Sequence, residues 1–112
     1  MLDVQAALAR ADIPGYRVSM RLGEMTEIPT VFAAWAMRSH FESYRDDAPG
    51  ATVCEVKMNL VAASDPQGPW ERLLAPMIAE GSEMLEMQES YDEDADVYVL
   101  ESTWRGVKYH DI

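Results

Sequence analysis

The spacing of apolar residues along the chain predicts two helices. The first covers residues 2–11, where apolar side chains recur at helical spacing at Val4, Ala7, Leu8 and Ala11. The second covers residues 69–80, where an apolar stripe follows Pro69 as the first helical residue. Pro76 lies inside this second helix. A proline there removes one backbone hydrogen bond at a cost of about 3 kcal/mol, so we expect a kink or an early end.

Alternation of apolar and polar residues predicts the strands. It marks residues 16–22 and is clearest over residues 54–62. Residues 30–37 are apolar on both alternating faces, as in a central strand covered on two sides, although their alanines leave a helix open. Residues 97–105 are rich in β-branched and aromatic residues, which predicts a last strand. We expect it to pair antiparallel with the strand before it, in which Met84, Leu85 and Met87 suggest one covered face.

The resulting order is helix, strand, strand, strand, helix, strand, strand, which predicts one α+β domain over residues 1–112. We expect a mixed, mostly antiparallel sheet of about four to five strands, with both helices mainly on one face because two helices cannot cover both. The open face or a sheet edge should then meet other subunits. The helix stripe and the strand face should bury each other at Trp70, Leu73, Leu74, Met77, Val56, Met58 and Leu60.

Charge is strongly and unevenly distributed. The chain has 20 acidic and 9 basic residues, a formal net charge of -11, which opposes binding to nucleic acid. Residues 83–96 are acidic and hold no basic residue, whereas the first half contains Arg17, Arg21, Arg38 and Arg45. This asymmetry favours head-to-tail association around a ring, in which different surfaces of neighbouring copies meet. Scattered surface charge is the simpler alternative.

Candidate residues for chemistry are few. Cys54 is the single cysteine, and its place on the apolar face of a strand favours a buried thiol over a nucleophile. His40 and Glu42 share one side of a strand, but a metal site needs two or three further ligands. The acidic segment 83–96 lacks the spacing of a calcium loop. We therefore expect no enzymatic activity, no metal and no cofactor.

The expected compartment is a cytoplasm. A single cysteine fits a reducing environment. No apolar run has the length of a signal peptide or a membrane span, so we expect no membrane association.

Three segments resemble small tail-completion and tail-terminator proteins of siphophages and related prophages. At residues 28–32, a proline leads a strand. At residues 41–49, a loop with paired aspartates precedes the long alternating strand that runs over residues 53–60. At residues 91–98, a tyrosine and an acidic turn enter the closing strand.

The resemblance implies an α/β fold with a mixed sheet, a hexameric ring at the head-proximal end of the tail tube, and no catalysis. It implies a virion protein assembled in the host bacterial cytoplasm, with the tail tube protein and the head–tail connector or stopper protein as partners. DNA would pass through the ring without specific binding, and an acidic lumen would repel its phosphates.

Two alternatives stay open at this point. Another head–tail connector or minor tail component would have the same fold. An acidic DNA mimic that inhibits a host DNA-binding protein is the alternative from a different class, although the basic residues of the first half interrupt the regular carboxylates it needs.

Two polar loops are the predicted interface. Each carries an aromatic side chain, and Tyr and Arg are residues that interface cores favour. We expect a subunit boundary, or the contact with neighbouring tail proteins, in a first loop at Tyr44, Arg45, Asp46 and Asp47 and in a second loop at Tyr91, Asp92, Glu93 and Asp94.

Overall fold

The computed structural model of the chain describes residues 2–17, 30–42 and 51–109. Its elements in chain order are α1 (Val4–Arg10), β1 (Gly15–Arg17), β2 (Val31–Glu42), β3 (Ala51–Ala62), α2 (Gln67–Ala79), β4 (Ser82–Asp92) and β5 (Val97–Tyr109). The predicted order of elements is confirmed. Residues 18–22 of the first predicted strand and the predicted loop at residues 44–50 lie outside the described residues.

The strands form one five-stranded sheet in the order β1-β2-β3-β5-β4. β1 is parallel to β2, whereas β2 with β3, β3 with β5, and β4 with β5 are antiparallel. The chain is therefore a single α+β domain with a mixed sheet, as predicted. β2 is a strand rather than a helix because it pairs on both sides, with β1 and with β3. Among the described strands, β1 and β4 form the two edges of the sheet.

Both helices contribute to one core on one face of the sheet. Its buried residues from the strands include Ala33, Trp35, Val56, Met58, Leu60, Leu100 and Trp104, and those from the helices include Val4, Ala7, Leu8, Trp70, Leu73 and Met77. The rings of Trp70 and Trp104 lie 5.7 Å apart and join α2 to β5. The predicted core is confirmed, with Leu74 partly buried at its margin.

Local sequence sets the ends of the helices. The Asp3 carboxylate caps α1 by accepting a hydrogen bond from the Ala6 N–H at 3.0 Å. α2 begins two residues before Pro69, and it continues through Pro76 to Ala79. Of the two expected effects of Pro76, the early end was wrong, and the kink stays a prediction. The proline removes only its own N–H donor, so one helical hydrogen bond is lost, while its carbonyl still accepts from the Glu80 N–H at 3.1 Å.

The molecule is elongated. Its radius of gyration is 15.7 Å and its principal extents are 53 × 27 × 22 Å, whereas a compact domain of this length has a radius of about 13 Å. α2 meets β4 at Ser82, whose hydroxyl donates to the Met77 carbonyl at 2.6 Å. From Glu83 to Asp92, β4 is exposed. The long β4–β5 hairpin therefore extends beyond the part of the sheet that the helices cover.

Candidate assembly surface

The two predicted interface loops have different outcomes. The first loop, with Tyr44, Arg45, Asp46 and Asp47, lies outside the described residues. The second loop, with Tyr91, Asp92, Glu93 and Asp94, is exposed at the tip of the β4–β5 hairpin. There the Asp92 carboxylate accepts hydrogen bonds from the N–H groups of Asp94 and Ala95, at 3.0 and 3.2 Å. These bonds shape the turn, and its role in an interface stays a prediction.

Two tyrosines hold an aromatic surface beside this turn. Tyr91 and Tyr98 are cross-strand partners, and their ring centroids are 5.0 Å apart. The Tyr91 hydroxyl donates a hydrogen bond to the Asp96 carboxylate, and Asp96 adopts a left-handed φ of 54°. The hydrogen bond to Asp96 is the main cause that raises the pKa of the Tyr91 phenol above its ordinary value.

β4 exposes large apolar side chains on the helix-bearing side of the sheet. Cross-strand partners share a face, and Met84 and Met87 lie opposite Trp104 and Ser102, which are buried on the helix side. We call four side chains on this side the β4 stripe, with their exposed fractions: Met84 (41%), Met87 (46%), Tyr91 (48%) and Tyr98 (37%). Patches of this kind on a soluble protein mark interaction sites.

The prediction that Met84, Leu85 and Met87 lie on a covered face was wrong. Leu85, at the irregularity between Met84 and Glu86, is 49% exposed. The physical reason is the sheet order, which places β4 at the edge, outside the strands under α2. The spacing of apolar residues shows that one face of a strand is apolar. It does not show whether another part of the same chain covers that face.

The β4 stripe is bordered by carboxylates. Between residues 83 and 96 these are Glu83, Glu86, Glu89, Asp92, Glu93, Asp94 and Asp96. In the part of the chain that the structure describes, the ion pairs are Arg10–Glu80 and Arg38–Glu55, so the hairpin carboxylates have no cationic partner there. An apolar centre with a charged rim is typical of a protein interface.

The opposite sheet edge carries a cation. The Arg17 guanidinium in β1 lies 5.4 Å from the centroid of the Trp35 ring, a favourable cation–π distance. The indole N–H of Trp35 donates to Gln5 Oε1 at 2.7 Å, which orients the ring beneath the guanidinium. Arg17 remains exposed. Of the four arginines in the predicted basic half, Arg17 lies at this edge, Arg38 pairs with Glu55 on β2 and β3, and Arg21 and Arg45 lie outside the described residues.

The face of the sheet away from the helices carries a shallow groove of about 460 Å³. Its polar lining comes mainly from Lys57, Asn59, Glu86, Gln88, Glu101 and Thr103. Its lining residues include neither a histidine nor a cysteine. The groove supplies a concave polar surface, but no nucleophile beside a base.

Among the candidates for nucleophilic or metal chemistry, the structure describes Cys54 and the acidic segment 83–96. Cys54 is buried as predicted, 4% exposed, with its Sγ 3.3 Å from the Ser39 hydroxyl. The side chains of His40 and Glu42, and all of His110, lie outside the described residues. Among the residues that are described, no three or more His, Cys, Asp or Glu side chains group as metal ligands. None of the helices in the described ranges is long and apolar enough to cross a membrane.

Chelator treatment is expected to leave the melting temperature unchanged. A structural metal contributes directly to folding free energy, so its removal lowers the melting temperature by many degrees. Differential scanning fluorimetry with and without EDTA, at matched ionic strength, measures this. A fall of several degrees that added zinc reverses would contradict the expectation.

The fold recurs in a virion. The chain is similar to a chain of the structure described as "Virion of native gene transfer agent (GTA) particle", with a TM-score of 0.56 and 10% sequence identity. The likeness covers 93% of this chain and 84% of that chain. The fold is shared. At this identity the likeness concerns the fold alone, and neither a protein-family profile nor a curated protein sequence matches the chain.

Proposed function

We propose that this chain is a non-enzymatic structural protein of a virion. In this proposal it is a tail-terminator or tail-completion subunit, and several copies form a ring at the head-proximal end of a tail tube and join the tube to the head connector. The observation that carries the proposal is the fold likeness to a chain of a gene transfer agent virion, which spans 93% of the protein. The sequence resemblance described above points to the same class and supplies the hexameric stoichiometry.

The form of the subunit supports a ring. A subunit in a ring contacts its two neighbours through two different surfaces. Here one sheet edge is a long acidic hairpin with the β4 stripe, and the other carries Arg17. The subunit is elongated, with principal extents of 53, 27 and 22 Å. In the proposed ring, its long axis lets one copy reach the next.

The charge supports passage of DNA without binding. Each copy has a net charge of -11, and a ring of about six copies multiplies that charge around one opening. Phosphates are repelled by such a surface, so DNA in the lumen would slide rather than adhere. In this proposal the partners are other virion proteins, namely the tail tube protein at one end and the head connector or stopper protein at the other.

Electron microscopy and mass photometry test the proposal, on the protein alone and with purified tail tubes. The expected result is a closed ring of about six copies, formed at high concentration or at the end of a tube. Rings that bind head connectors but never tubes would favour the connector alternative. A protein that stays monomeric or dimeric, and instead occupies the basic groove of a DNA-binding protein, would favour the DNA mimic and contradict the ring.

A further inference from the structure

The two edges of the sheet present complementary groups on the same face. Arg17 pairs with Trp35, whose side chain belongs to the helix-side core, so Arg17 lies on that side. Glu89 pairs with Leu100, which is buried in the same core. Since β1 and β4 are the outermost of the strands that the structure describes, a cation and a carboxylate lie at opposite edges of this sheet and on the same face.

The strand register also places these groups at nearly the same level along the strands. One row of partners crosses the whole sheet through Arg17, Trp35, Met58, Ser102 and Met87. The next row on the same face joins Gly15, through Ala33, Leu60 and Leu100, to Glu89. Diagonal neighbours on adjacent strands lie about 7–8 Å apart, within reach of long side chains. A second copy beside the first would therefore place Arg17 opposite Met87 and within reach of Glu89.

We propose that copies of this chain associate head to tail through these edges. The β4 edge of one copy, with the β4 stripe and Glu89, contacts the β1 edge of the next copy at Arg17. The occupant of the β4 stripe is thus a second copy of the same chain. This contact deepens the ring proposed above and rests on it.

Charge disfavours the symmetric alternative. If two β4 edges met each other, Glu83, Glu86 and Glu89 would face the same carboxylates of the other copy, and like charges across strands destabilise pairing. A contact between different surfaces avoids this repulsion, and it closes into a ring when its rotation repeats evenly. In the proposed contact the exposed Met and Tyr side chains supply the buried apolar centre, and the Arg17–Glu89 pair selects the partner and register.

Charge reversal on each edge tests the contact. Glu89→Lys alone places a cation against Arg17, and Arg17→Glu alone places a carboxylate against Glu89, so each variant should weaken assembly about tenfold or more. An equal mixture of the two variants restores attraction at every contact when the variants alternate around the ring. The lysine of the Glu89→Lys variant then meets the glutamate of the Arg17→Glu variant, and the native Glu89 of the second meets the native Arg17 of the first. Mass photometry should show monomers for each variant alone and rings for the mixture.

The matched control for Glu89→Lys is Glu71→Lys, which makes the same change of charge at an exposed residue of α2 rather than of an edge strand. It should assemble like the unmodified chain. Rescue by mixing also excludes misfolding, since a misfolded variant is not restored by another variant.

Each outcome separates this contact from the ring itself. Rings formed by Arg17→Glu alone, at unchanged concentration, would overturn the contact while leaving the ring in place. A mixture that stays monomeric would overturn the direct Arg17–Glu89 pairing. An unmodified chain that never oligomerises, alone or on tail tubes, would overturn the ring and this contact together.

Discussion

Replacing Leu73 by alanine is expected to lower the free energy of unfolding by about 2–5 kcal/mol. Leu73 is fully buried, at 0% exposure, between α2 and the helix face of the sheet. Truncation removes favourable burial and leaves a cavity that the surrounding core fills only in part. Urea unfolding followed by tryptophan fluorescence measures the loss, because Trp70 and Trp104 lie together in the same core.

Ile78→Ala is the matched control for this change. Ile78 belongs to the same helix, but it is 62% exposed. Its truncation removes an aliphatic side chain of the same size from a surface site, where substitutions change stability by about 0.5 kcal/mol or less. Equal losses for the two variants, or exposure of position 73 to a thiol reagent in a Leu73→Cys protein, would contradict the position of α2 on the sheet.

Reversing charge at Arg45 is expected to block ring assembly while the monomer stays folded. If Arg45 meets an acidic partner across a subunit boundary, Arg45→Glu turns attraction into repulsion, which costs a specific contact several kcal/mol at close range. The same contact should weaken as salt rises, because exposed charges are screened within about 8 Å at physiological ionic strength. Mass photometry over a salt series measures assembly, and a thermal melt measures folding.

Arg105→Glu is the control for charge. Arg105 is exposed in β5 and belongs to neither predicted interface loop, and its reversal changes the net charge by the same amount. It should assemble normally. An Arg45→Glu protein that forms rings and completes tails at normal yield would remove the first loop from the mechanism and would leave the hairpin turn at Tyr91–Asp94 as the remaining predicted interface.

The sequence alone determined the elements and the core. Val56, Met58 and Leu60 alternate with polar residues, and that period fixes which side of β3 is buried whatever its neighbours are. The stripe at Trp70, Leu73 and Met77 likewise fixes the buried side of α2. Both buried sides follow from local backbone geometry, which has a period of two residues in a strand and about 3.6 in a helix. They can therefore be predicted from the sequence alone. The acidic turn before β5 could also be predicted from the sequence, because aspartates are frequent in turns.

Tertiary structure decided what covers each element and which residues meet. β5 lies inside the sheet and β4 at its edge, so the apolar residues Met84 and Met87 are exposed although their spacing resembles that of a covered strand. α2 continues past Pro76 to Ala79 because Leu73 and Met77, on either side of the proline, are buried in the core, and this packing offsets the loss of one helical hydrogen bond. Arg17 and Glu89 share one face at opposite edges only because the register of four strand pairs connects them. That register is set by pairing between segments that are distant in the sequence. The spacing of residues within one segment does not determine it.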